Sequence, residues 1–176
     1  MGRRAVFPLL LLLALPSLAA VTEPRVPPRL RAAADETPAF MLTGNGAYVY
    51  ECKPSSFDAN AYVWVFVVPD ANLYDGSHLA ARHTSIDVYE AVDDRSSATG
   101  ILTGAATAGP DNLPWALFRT RALSDTGLFA GVTGFQRVNT NGGAPPRAGC
   151  DADHGGAEAR QNFTADYYFY RKRAAQ

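Results

Sequence analysis

The chain has 176 residues, 47% of them hydrophobic and 19% charged, with a formal charge of −1. This composition excludes a globally disordered chain, which needs low hydrophobicity and high net charge. A near-neutral chain with no Lys/Arg block also lacks the electrostatic footprint of a nucleic-acid binder, so no nucleic-acid partner is expected.

Arg3 and Arg4 precede an apolar run from Ala5 to Leu15, and Pro16-Ser17-Leu18-Ala19-Ala20 then supplies small residues. This is the pattern of a secretory signal peptide. It predicts a leader over residues 1–19, cleaved after Ala19 or Ala20. The run of about eleven residues is too short to cross a bilayer, which takes roughly 20, so no transmembrane segment is expected in the mature chain. Losing the leader removes two basic residues and no acidic one, moving the formal charge from −1 to −3. The expected location is secreted or extracytoplasmic, in a periplasm or at a cell surface. Residues 20–38 hold Pro24, Pro27, Pro28 and Pro38 and read as a Pro-rich arm. A single β domain is expected over residues 39–173.

Beyond the arm the chain alternates between strand-like runs and turn signals. Ala39–Leu42 is a short apolar run, and Thr43-Gly44-Asn45-Gly46 reads as a turn. Ala47–Cys52 alternates, with Tyr48, Tyr50 and Cys52 sharing a face. Tyr62–Val68 is apolar throughout and predicts a central strand covered on both faces, stopped by Pro69-Asp70. Ser85–Val92, Ala98–Thr107 and Leu113–Thr120 are further strands. Leu128 and Phe129 suggest one helical turn capped by Ser124 or Asp125. Val132–Thr140 and Phe163–Arg171 are the last strands, separated by a Gly- and Pro-rich loop over residues 141–156. About eight short strands without a long helical period predict a mostly β, antiparallel sandwich or barrel.

Cys52 and Cys150 are the only cysteines, 98 positions apart and with no C-x-x-C. An even pair in an oxidising compartment predicts a disulfide.

Several segments together resemble the secreted family named for a domain of unknown function, DUF3455. They are Gly46-Ala47-Tyr48-Val49-Tyr50-Glu51-Cys52, Pro69-Asp70-Ala71-x-Leu73-Tyr74-Asp75 and Leu113-Pro114-Trp115. Gln136-Arg137-Val138-Asn139-Thr140 follows, with Gly142-Gly143, Pro145 and Gly149-Cys150, and the chain ends on Thr164-Ala165-Asp166-Tyr167-Tyr168-Phe169-Tyr170. The family's Gly-x-His, Gly-Pro, Trp-Glu and Asp-Gly-Ser become Ala81-Arg82-His83, Ile86-Asp87, Tyr89-Glu90 and Asp94-Arg95-Ser96. The resemblance implies no reaction. Gly44-x-Gly46 gives no dinucleotide fingerprint, because Val49 stands where the third glycine belongs.

His83, Glu90, Gln136 and Arg137 are the candidate ligand-binding residues. A strand-interior arginine needs a partner if it is buried. Arg137 therefore predicts either a carboxylate-ligand site or, as the favoured reading, a structural ion pair with Asp166 first and Glu51 second. Tyr167 and Phe169 fall on one strand face and Tyr168 and Tyr170 on the other, and one of these pairs is expected in the core. Asn162-Phe163-Thr164 is a glycosylation acceptor pattern that matters in a eukaryotic host. His78, His83 and His154 are the only histidines, and with Asp75, Asp151 or Asp153 they give a weaker alternative as Cu or Zn ligands. The expected function is thus a non-catalytic secreted β module that binds an unknown small ligand or surface partner, or serves an envelope or cell-surface role, with no cofactor. The alternative is a metal-dependent, dismutase-like extracytoplasmic enzyme.

Overall fold

A computed structural model describes residues 21–58 and 60–174. The predicted leader lies outside the described residues. Eight strands follow one another as β1 (Glu36–Pro54), β2 (Tyr62–Asp75), β3 (His78–Ser85), β4 (Val88–Ala91), β5 (Ser97–Ala106), β6 (Trp115–Ala122), β7 (Val132–Gly142) and β8 (Glu158–Lys172). Each is antiparallel to the next, and β1 closes on β8 from Glu36 opposite Lys172 to Glu51 opposite Glu158. The mostly β expectation therefore resolves to a closed up-and-down barrel. Closure gives every strand two neighbours, where a sandwich would have outer strands to protect.

An eight-stranded barrel is just wide enough for side chains to fill it. Here Leu42, Leu73, Phe129, Phe135, Tyr167 and Phe169 do so, each almost wholly buried. Of the terminal aromatics, Tyr167 and Phe169 face this core. Tyr170, on the outer face, is buried as well, and its hydroxyl donates to Gln136 Oε1 at 2.6 Å.

Thr43–Gly46 is not a turn, because β1 runs through it. Its glycines serve close approach. A Cβ on Gly44 would stand 2.5 Å from the Tyr167 ring. The reversal expected of Asn and Gly loses to a nineteen-residue strand paired on both sides. Pro69-Asp70 likewise fails to stop β2. Pro69 stands opposite Tyr48 of β1 and before β3 joins at Ala71, so on the β3 side there is no ladder bond for it to lose. Ser85–Val92 is a hairpin rather than one strand, reversing at Asp87 with φ 61°. Residues 128–130 form a turn and not a helix. The Leu128 N–H is taken by Asp94 and the Phe129 N–H by the Ser96 hydroxyl, not by Ser124 or Asp125.

The first half of β2 is not a covered central strand. It pairs with β1 alone, since the β3 register begins at Ala71 opposite His83, and Val63, Val65 and Phe66 are exposed.

The arm is packed on the barrel wall rather than loose. A 3-10 turn over Pro28–Leu30 inserts Leu30 against Ala106 and Leu117, and the Leu30 carbonyl accepts from Gln136 Nε2. Glu36, 2% exposed, accepts from Arg119 Nη1 at 2.8 Å and from the Ala33 N–H at 3.0 Å. Burial works against the Glu36 charge, but the Ala33 amide, Thr133 and Arg119 outweigh it and hold its carboxyl below the usual range.

Cys52 and Cys150 form the disulfide, with Cα atoms 5.3 Å apart. It ties the loop after β7 to β1. That loop also accepts hydrogen bonds from Tyr50 Oη at Gly143 O, 2.7 Å, and from Trp64 Nε1 at Ala148 O, 3.0 Å. Among the described residues no helix is long and apolar enough to cross a membrane.

Candidate functional site in the barrel interior

Alternation along β7 sends neighbouring residues to opposite faces. Gln136 points outward to the arm, whereas Arg137 enters the barrel. Arg137 is 7% exposed. Its Nη1 donates to Tyr48 Oη at 2.5 Å and its Nη2 to the Pro114 carbonyl at 3.1 Å. The guanidinium carbon lies 5.6 Å from the Tyr48 ring centroid and 5.7 Å from that of Phe118, within cation–π range. Its Nε is buried with no partner.

The favoured ion pair is absent. Asp166 accepts instead from Asn139 Nδ2 at 2.7 Å, and Glu51 pairs with Lys53 at 3.0 Å. Both carboxylates belong to the outer surface, so the inward-facing guanidinium meets only neutral oxygens and aromatic rings.

His83 on β3 is also inside, 5% exposed, with its ring stacked on Tyr89 at 4.1 Å and 18°. Its Nδ1 has no partner, and the fully buried Tyr167 hydroxyl adjoins the Arg137 guanidinium without reaching good hydrogen-bond geometry. Burial first, and the Arg137 charge second, push His83 down to about 3. Burial also raises the Tyr89 and Tyr167 phenols well above their ordinary value. Burial opposes the Arg137 charge, but Tyr48, Tyr167 and Tyr89 together reverse the shift and hold its pKa above the ordinary value. At neutral pH the cluster therefore holds a cationic Arg137, a neutral His83 and neutral phenols, a single positive charge without a buried counter-ion.

A cavity of about 50 Å³ opens among Tyr48, His83, Tyr89, Gly100 and Phe118, with Phe66, Ile86 and Asp87 at its rim. Arg137 lies behind two of its walls, Tyr48 and Phe118. Gly100 keeps this region clear, because a Cβ there would meet Phe135 at 2.7 Å. Phe66 and Ile86 are 37% and 56% exposed, so the rim presents two apolar side chains to water beside the exposed Asp87.

Of the four sequence candidates, the barrel thus gathers His83 and Arg137 and separates the other two. Gln136 completes the arm contact outside. Glu90 pairs with Arg95 at 2.9 Å and does not reach the interior, because the next residue inward is Tyr89. The metal alternative finds no cluster. His78 pairs with Asp93 at 2.8 Å, His154 with Asp151 at 2.6 Å, and His83 is buried elsewhere. Among the described residues no group of three His, Cys, Asp or Glu is placed to hold a metal ion. Asn162 is exposed on β8. Tyr48, Tyr89, Phe118 and Tyr167 complete the cluster and were not among the sequence candidates. Tyr89, standing at the family's Trp-Glu position, was the available signal, an aromatic set to stack on the retained histidine.

A family model described as a protein of unknown function (DUF3455) matches residues 33–94 and 88–171. No curated protein and no solved structure matches the chain.

Proposed function

The chain belongs to the DUF3455 family, whose description names no activity, and we propose that this member is an exported, non-catalytic module that binds a small anionic ligand at Arg137. The observation that carries this reading is a buried guanidinium with neutral partners only and an unpaired Nε. Burying a charge without a counter-ion is costly, so a fold built for stability alone replaces it by an apolar residue. A carboxylate in the adjoining cavity supplies the missing negative charge, acting on the guanidinium across the Tyr48 and Phe118 rings. Neutral His83, which lines the cavity, offers a further hydrogen bond.

The cavity sets the ligand's shape. On this measure of free space one water needs about 10–15 Å³, so about 50 Å³ takes a group of a few heavy atoms such as a carboxylate head. The body of the ligand rests on the rim, against Phe66 and Ile86. The ligand class is accordingly a small monocarboxylate with an aromatic or aliphatic tail. Export is supported by the Arg3-Arg4 leader pattern and by the disulfide, a bond typical of oxidising compartments.

The test is calorimetric titration of the mature protein with benzoate and hexanoate, and with benzylamine and hexylamine as matched cations. Binding of the carboxylates but not the amines, lost in Arg137→Met, is the expected result. Equal response to both charges, or carboxylate binding that survives Arg137→Met, removes the proposal.

A further inference from the structure

The barrel is closed, yet its strands differ in length, and two apolar stretches are left paired on one side only. One is β5 beyond Thr99, where β4 has ended. The arm lies against it at Gly104, and a bulge between Leu102 and Gly104 interrupts it. The other is Tyr62–Phe66 at the start of β2. It pairs with β1 in the register Pro54 to Tyr62 through Tyr50 to Phe66, and no described strand lies on its other side. The stretch ends where the β1 register shifts between Val49 and Tyr50, which leaves Val67 unmatched, and Pro69 follows. Its other end is the loop carrying Phe57, 99% exposed. None of the usual edge protections falls within these five residues: no charge, no proline and no bulge.

We infer that this edge pairs with the same edge of a second copy of the chain, in a two-fold antiparallel arrangement centred on Trp64. Three features favour a second copy over an unrelated strand. The sequence Tyr-Val-Trp-Val-Phe reads nearly the same in both directions, so a two-fold axis sets Tyr62 opposite Phe66, Val63 opposite Val65 and Trp64 opposite Trp64. A two-fold interface must be self-complementary in this way. The stretch carries no charge, so identical strands meet without repulsion. The faces also match. Trp64 opposes buried Cys52, and its indole bonds the disulfide loop, while Val63 and Val65, opposite Lys53 and Glu51, are 43% and 38% exposed on the other side. Pairing gathers four valines into one patch and satisfies the open backbone groups of both edges across the axis. This edge shares Phe66 with the cavity rim and no other residue, and the inference stands or falls without the ligand proposal.

The experiment is sedimentation velocity of the full mature protein over a wide concentration range, with two exposed-face variants, Val63→Lys and Val65→Glu. Neither substitution fills a core position, and circular dichroism checks that each is folded. The expected result is a reversible monomer–dimer equilibrium, weakened roughly tenfold or more in each variant alone, because a charge then sits in an apolar patch. An equimolar mixture of the two variants recovers dimer, since the lysine introduced in one copy faces the glutamate introduced in the other. A chain that stays monomeric at every concentration overturns the inference. So does a dimer that both variants leave unchanged, or a mixture that fails to recover it.

Discussion

Two arginines on adjacent strands show opposite solutions to the same problem. Arg119 on β6 lies on the outer wall and meets Glu36, a carboxylate 2% exposed, which the packed arm also supplies with a backbone N–H. Arg137 on β7 lies inside, more deeply buried, and meets two neutral oxygens and two aromatic faces. Around Glu36 the wall has a complete set of partners. Four buried side-chain atoms are unmatched among the described residues, on His83, Thr120, Arg137 and Tyr167, and three of them belong to the interior cluster. Such atoms are rare in native proteins and each calls for a reason. The contrast teaches that the wall is organised for stability, whereas the interior tolerates an instability that a ligand would relieve.

The largest expected effect tests what holds the loop over β1 and β2. The Cys52–Cys150 link closes about a hundred residues, for which chain entropy gives roughly 4–5 kcal/mol. Cys52→Ser with Cys150→Ser is expected to lower the melting temperature clearly and to expose residues 141–156 to proteolysis, while the Glu36–Arg119 pair is left intact. An unchanged melting temperature would show that packing alone fixes the loop.

Acid is the next probe, and it acts on the interior before the wall. His83 binds its proton at about 3 in the folded chain and near 6.5 when unfolded. The unfolded chain therefore holds more protons between these values, and stability falls as pH drops from 6.5 towards 3. The loss is on the order of 4 kcal/mol across that window. Glu36, Asp94 and Asp151, whose pKa values are lowered, add their own losses only below the usual carboxylate range. Urea unfolding at pH 6.5 and pH 5 separates the two. His83→Gln should flatten the slope between them, and a slope unchanged in His83→Gln would place the titrating group elsewhere.

A smaller loss is expected at the wall. Arg119→Met leaves Glu36 charged and buried without its cation, for about 3 kcal/mol. Chemical denaturation measures it. A cost under about 1 kcal/mol would mean that the arm's amide alone satisfies Glu36.

Much of this molecule was legible in its sequence. Strand periodicity placed β5 to β7 within two residues and began β8 five residues late, and the lone cysteine pair predicted its own bond. Other features depend on pairing partners that periodicity does not contain. Gly44 and Gly46 look like a turn until Tyr167 and Ala71 are placed against them. Tyr62–Val68 looks like a central strand because it is apolar on both faces, yet its neighbour joins only at Ala71. The interior was half legible. Alternation separates Gln136 from Arg137, but which of the two faces inward depends on barrel closure. Asp166, the expected partner of Arg137, lies across the wall from it for the same reason.

The most direct measurement of the central claim is the unfolding free energy of Arg137→Met in urea, set beside wild type. Methionine keeps much of the side chain's length and removes the charge, the two donated hydrogen bonds and the orphaned Nε together. If Arg137 is retained for a ligand, the variant should be as stable as wild type or more stable by about 1–3 kcal/mol, since apolar replacement of a buried charge is often neutral or favourable. Benzoate, if bound by wild type, should no longer raise the variant's midpoint. A loss of about 3 kcal/mol, matching Arg119→Met, would make Arg137 a structural residue and contradict the account.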